Sequence, residues 1–176
     1  MLDGADWYYY PQPREFAIDY STKFYTENGL VEDGINSFMG FGADTQISEV
    51  QTVVAMGDKA IAVSNMPYST NSVKGTIYQI DDQTIYLKDI FYFSDTYKRW
   101  VQYGTTNVGI SVTLNPNGLV LKEGGLATTN QLEVGDSLTA MIHASIPDIV
   151  EETGSGNDGA NTIINATGYI ITVDAY

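Results

Sequence analysis

The stretch GTIYQIDDQTIYLKD, residues 75–89, decides the fold class. Two short alternating runs flank Asp81, Asp82 and Gln83, and alternation interrupted by a polar turn is the pattern of a β-hairpin. The chemistry around it is the same. Thirteen Tyr, seventeen Gly and many Thr, Val and Ile favour strands and tight turns, whereas Ala- and Leu-rich segments at helical spacing are scarce. With 176 residues, 43% hydrophobic and 17% charged, the chain is long enough for one large or two small globular domains. We expect an all-β fold.

A second signal lies in an internal relation. TQISEVQTVVAM (residues 45–56) aligns without a gap on NQLEVGDSLTAM (residues 130–141), 85 positions on, pairing Gln46 with Gln131, Ile47 with Leu132, Val53 with Leu138 and Met56 with Met141. The same offset carries Leu2 onto Leu87, Trp7 onto Tyr92 and Tyr8 onto Phe93, and FAIDYS (16–21) matches ISVTLN (110–115) at an offset of 94. KAIAVSN (59–65) and GYIITVD (168–174) close the two copies.

Each copy offers five or six short strands and no long helical segment to cover an open sheet, so a small closed barrel would remove the exposed edges. The expectation is two tandem small β-barrels, OB-like or similar, in residues 1–68 and 69–176, joined by the polar MPYSTNS (66–72). Copy one has no counterpart of the 75–89 hairpin. Its barrel should therefore be incomplete, its N-terminal hairpin missing, and the chain should begin inside a longer protein. Copy two carries an extended final hairpin, residues 143–167. Leu87, Leu132, Val134 and Leu138 are expected to point inward, with Gly135 and Asp136 making a tight turn.

The net charge of −14 divides evenly, with ten acids and three bases in residues 1–68 and twelve acids and five bases in residues 69–176. A phosphate backbone requires a basic stripe that releases counterions, so neither nucleic acid nor insertion into an anionic membrane is expected. An acidic surface suits solubility, cation binding or an extracellular setting. Cys is absent, which removes disulfides, thiolate zinc sites and a cysteine nucleophile. No apolar run approaches a membrane span of about 18 residues.

GTIYQIDDQTIYLKD, FSDTYKRWV, SVTLNPNGLVLKEGG, NQLEVGDSLTAMI and GYIITVD, taken in order, resemble the β-barrel repeat modules of surface-layer and related cell-surface proteins of Gram-positive, clostridium-like bacteria. Copy one departs at the Leu-x-Val-Gly-Asp turn, with Val50 and Gln51 where copy two has Gly135 and Asp136. The resemblance implies a non-enzymatic structural module of the cell wall or surface layer, extracellular, acting by assembly and spacing. Its partners would be further copies, neighbouring modules of the same polypeptide, or cell-wall polysaccharide.

Two other readings stay open: a carbohydrate-binding module using Trp7, Tyr8, Tyr10 or Trp100, and a viral or appendage structural subunit. Trp7 and Tyr9 would lie on one face of a strand and Tyr8 and Tyr10 on the other, one face filling the barrel and the other meeting a neighbouring module. Catalysis has little to stand on. His143 is the lone histidine, there is no Gly-x-Ser-x-Gly elbow, and strand-end His143 reads as structural. In residues 143–167, Asp148, Glu151, Glu152, Asn157 and Asp158 could offer hard oxygens to Ca²⁺, although the spacing is not that of an EF-hand.

Overall fold

The structure is a computed structural model that describes residues 2–3, 6–7, 12–26, 28–34, 36, 51–68, 71–94, 96–103, 108–143 and 162–174. Among these residues the strands, in chain order, are β1 (Leu2–Asp3), β2 (Asp6–Trp7), β3 (Lys23–Thr26), β4 (Gly29–Leu30), β5 (Thr52–Met56), β6 (Lys59–Ser64), β7 (Ser72–Asp81), β8 (Thr84–Ser94), β9 (Arg99–Gln102), β10 (Val108–Lys122), β11 (Gly125–Ala127), β12 (Ser137–Ile142) and β13 (Thr162–Val173). The hairpin read from residues 75–89 is β7–β8, turning at Asp82 and Gln83 between the paired Asp81 and Thr84.

Five strands close a barrel. β7, β8, β10, β13 and β12 follow one another around the ring, and pairing of β12 with β7 completes it. β10 and β13 run parallel, and the other ring pairs are antiparallel. Closure of so small a ring demands sharp bends, which bulges supply. Opposite Gly75 the β8 strand carries Asp89 and Ile90, with Asp89 at φ 54°. A Cβ on Gly75 would lie 3.0 Å from the Lys88 carbonyl oxygen and 3.1 Å from Leu87 Cβ, so the bend there depends on glycine. β10 pairs with β8 through its first half and with β11 through its last residues, with a three-residue slip in its pairing to β13 between Leu114 and Leu119.

The barrel interior is apolar and closed to water. Leu87, Ile110, Val112, Leu138, Ala140 and Ile142 are fully buried within it, as alternation predicts for the inward face of each strand. The turn before β12 is tied on three sides. The Asp136 carboxylate accepts the Glu133 N–H and the Lys122 ammonium, both at 2.9 Å, while Ile77 N–H donates to Asp136 O and Gly135 N–H to Ile77 O, both at 2.9 Å. Gly135 sits at φ 102°. Leu132 packs inward as expected. Val134 does not: it is 65% exposed, because the bonds to β7 turn that residue out of the barrel.

A second sheet, in the order β4-β3-β6-β5, comes from the first copy, and β1 and β2 form a separate two-stranded hairpin. The four-stranded sheet repeats the barrel segment β11-β10-β13-β12 strand for strand. β3 runs parallel to β6 as β10 does to β13, and the flanking pairs are antiparallel. The repetition extends to irregularities. Between the bridge Ala17↔Lys59 and the pair Lys23↔Ala62, the parallel register slips by three residues, as it does between Leu114 and Leu119. In both slips an Asx turn begins the excursion, Asp19 Oδ1 accepting Ser21 N–H at 2.8 Å and Asn115 Oδ1 accepting Asn117 N–H at 2.9 Å. A bulge in β6 leaves Ile61 unpaired opposite Val54 and Ala55, and a bulge in β13 leaves Tyr169 unpaired opposite Met141 and Ile142.

These landmarks set the equivalence at offsets of 96 for β3/β10, 87 for β5/β12 and 108 for β6/β13, rather than the 94 and 85 read from the sequence. Val53 therefore matches Ala140, not Leu138. Val53 is 42% exposed, whereas Leu138 and Ala140 are fully buried under β7.

Candidate functional site

The two sheets meet through corresponding faces. Tyr25, Val54, Ile61 and Ala62 of the four-stranded sheet pack in one cluster with Leu121, Met141, Tyr169 and Ile170 of the barrel, and each of the first four is the counterpart of one of the second. The opposite faces also correspond. Phe16, Phe24, Val31 and Val63 form a small core whose counterparts Val112, Val120, Ala127 and Ile171 line the barrel. Like faces thus meet within one chain.

Aromatic and hydroxyl groups fix this seam. Tyr25 and Tyr169, both fully buried, stand 5.1 Å apart at 38°, and His143 packs on the other side of Tyr169 at 5.1 Å and 35°. Tyr25 Oη donates to Asn117 O at 2.8 Å, and the Lys23 ammonium reaches the same carbonyl at 3.2 Å. Tyr169 Oη and Ser64 Oγ lie 3.2 Å apart, and Met66 N–H donates to Ser64 Oγ. Burial pushes both phenols well above the usual tyrosine range, the proximity of Tyr169 adding to the shift at Tyr25. Burial likewise pushes the His143 imidazole below its ordinary value, and Tyr68 beside the seam up to about 12. The phenols of the seam are thus held in their neutral form at neutral pH.

His143, the lone histidine, is part of that packing and no carboxylate is bonded to it among the described residues. Trp100 in β9 is enclosed by an edge-on Phe93 at 5.8 Å and Tyr68 at 6.2 Å, and the Lys74 ammonium lies 4.7 Å from its ring centre. One face of the ring is thus covered by a cation. Trp7 falls in β2, paired with Leu2, while Tyr8 and Tyr10 lie outside the described residues. So do Asp148, Glu151, Glu152, Asn157 and Asp158, with most of the 143–167 hairpin. Among the described residues no group of three His, Asp or Glu side chains converges, and no helix is long and apolar enough to cross a membrane.

Two other features could take a ligand. Tyr78, bulged out of β7 and 39% exposed, stands over Gly109 beside Tyr86, with the rings 6.1 Å apart at 58°. Rings so inclined do not make one flat platform. A cavity of about 230 Å³ opens at the barrel end beside the seam, lined among others by Gln83, Asn115, Leu119, Thr128, Tyr169 and Ile171. Its lining holds no carboxylate, amine or imidazole, so it carries no acid–base pair.

Sequence reading missed the seam. The available signal was the run Tyr169, Ile170, Ile171, apolar at consecutive positions and so on both faces of β13, where a strand covered on one side alternates. No family model matches the chain, and no curated protein or solved structure matches it.

Proposed function

We propose that this chain is a non-enzymatic structural module of a bacterial cell-surface or surface-layer protein, acting by assembly and spacing. The observation that carries the reading is the duplicated sheet. A four-stranded copy of more than half the barrel, bulges and Asx turn included, is joined to the barrel through corresponding faces. Units repeated along a chain and packed at a fixed angle make a spacer, because each contact orients the next unit. The ring order β7-β8-β10-β13-β12 with its parallel β10–β13 pair supports an OB-like barrel as the repeated unit, and tandem barrels as the arrangement in a longer array. The packing of Phe93 and Tyr68 against Trp100, with the Lys74 ammonium over its ring, favours a structural role over a carbohydrate site there.

The test has two arms. Antibody raised against the chain should label intact cells of the native host, and the purified chain should show no turnover in glycosidase, esterase and protease screens. Turnover that survives repurification and disappears on replacing one carboxylate or His143 overturns the reading, as does labelling confined to permeabilised cells.

A further inference from the structure

Among the described residues no hairpin pairs with the four-stranded sheet as β7–β8 pairs with its counterpart in the barrel. In the barrel, the outer edge of β12 pairs with β7, Leu138 opposite Gly75 and Ala140 opposite Val73, and β10 pairs with β8 through Ile110, Ser111, Val112 and Thr113. The counterparts of these two edges are β5 and residues 14–17. Among the described residues β5 pairs with β6 alone, and Val53 and Met56 on it are 42% and 40% exposed. Arg14, Glu15 and Ala17 are also exposed. Thr52–Met56 carries no charge and no proline, two of the features that blunt an edge against strand addition.

We propose that the four-stranded sheet is a strand acceptor. It takes a β-hairpin of the β7–β8 kind from a neighbouring module, with one strand antiparallel to β5 and the other along residues 14–17. The hairpin's inward side chains would cover Val53 as Val73 and its neighbours cover Ala140 in the barrel. Main-chain bonds along β5 would supply affinity, and the apolar inner positions specificity. The proposal extends the assembly reading but does not share its test: a chain that turns over a substrate sinks that reading alone, and one that binds no hairpin can still be a spacer.

The probe is a synthetic peptide of residues 72–94, titrated into the full chain by calorimetry, with hydrogen exchange locating the contact. Binding at one to one is expected, with slowed exchange of the β5 amides. Val53→Asp should weaken it by about tenfold or more, since it sets a carboxylate on an apolar strand contact. Met56→Asp is the second variant should Val53→Asp fail to fold, and Tyr97→Ser, at an exposed position away from β5, should change nothing. A peptide that leaves β5 exchange unchanged overturns the proposal. So does binding that ignores Val53→Asp but rises with Leu138→Ala, which is exchange into the barrel. Concentration-dependent dimers abolished by Val53→Asp, without hairpin binding, assign the edge to a second copy and overturn it too.

Discussion

Replacing Tyr169 by alanine should separate the stability of the two sheets. The side chain is fully buried at the seam, touching Tyr25 and His143 and bonded to Ser64. Truncating a buried aromatic to alanine costs about 3–5 kcal/mol. The loss includes the contacts with Tyr25 and the partner of the Ser64 hydroxyl, itself fully buried. For a chain of this size each kcal/mol lowers the melting temperature by about 2–4 °C, giving a fall of about 6–20 °C. Tyr169→Phe keeps the ring and removes one hydrogen bond, so its cost should be about 1 kcal/mol. Guanidinium unfolding followed by aromatic fluorescence and by far-ultraviolet dichroism is the assay. In the alanine variant the two probes should part company, because the barrel keeps its own core whereas the four-stranded sheet loses the face it leans on. A loss under about 1 kcal/mol with coincident transitions would refute the reasoning, since a seam that bears weight cannot be emptied at that cost.

Leu87→Ala and Leu138→Ala should each cost about 2–5 kcal/mol in equilibrium unfolding, and Val53→Ala no more than about 0.5, because only the first two lie inside a closed ring. Gly75→Ala should destabilise by about 1–3 kcal/mol in the same assay, its methyl meeting the Lys88 carbonyl and the Leu87 side chain. Stability should hold up to about pH 10, where free tyrosine ionises, and decline above it. The folded chain retains phenol protons that the unfolded chain releases, with loss continuing through the raised folded-state values, about 12 for Tyr68; thermal melts from pH 8 upward would show it. With −7 on each half, light scattering should show self-association suppressed at low salt and promoted by millimolar Ca²⁺ more than by Na⁺ at matched ionic strength. An equal response to both would assign the effect to screening alone.

The β-hairpin of residues 75–89, the burial of Leu87, Leu132 and Leu138, and the kinship of β5 with β12 were legible in the alternating pattern. The matching of Leu2 to Leu87 and Trp7 to Tyr92 fails, since Leu2 and Trp7 face each other across a separate hairpin and Leu87 and Tyr92 lie along one strand. The register of the kinship was not legible. Matching Val53 to Leu138 instead of Ala140 is a slip of two residues, and since strand side chains repeat every two residues such a slip keeps every residue on its proper face. What fixes the true register is a bulge at Ile61 and at Tyr169 and an Asx turn at Asp19 and Asn115, features of hydrogen bonding that leave no hydrophobic trace. Val134 was misread for a similar reason. Its neighbour Gly135 bonds to Ile77 of a distant strand, and that bond outweighs the local alternation. The site was harder still: Trp100 reads the same in sequence whether Lys74 covers its ring or a sugar does.

The parallel pairing of β10 with β13 has a consequence during synthesis. The ring cannot close until β13, ending at Val173, has left the ribosome, whereas β7–β8 is complete at Ser94. At about 5–20 residues per second this gap lasts about 4–16 s. Within it the emerging hairpin lacks β10 until Lys122 and β12 until Ile142 have been made, and the partner edge of the right kind made before either is β5, upstream in the same nascent chain. For β7 the wrong partner, β5, is nearer in sequence than the right one, β12, so that pairing forms sooner and must be undone. Repetition, which gives a spacer its regularity, therefore also gives each unit a decoy in its predecessor, and maturation becomes a contest between neighbours for the same hairpin.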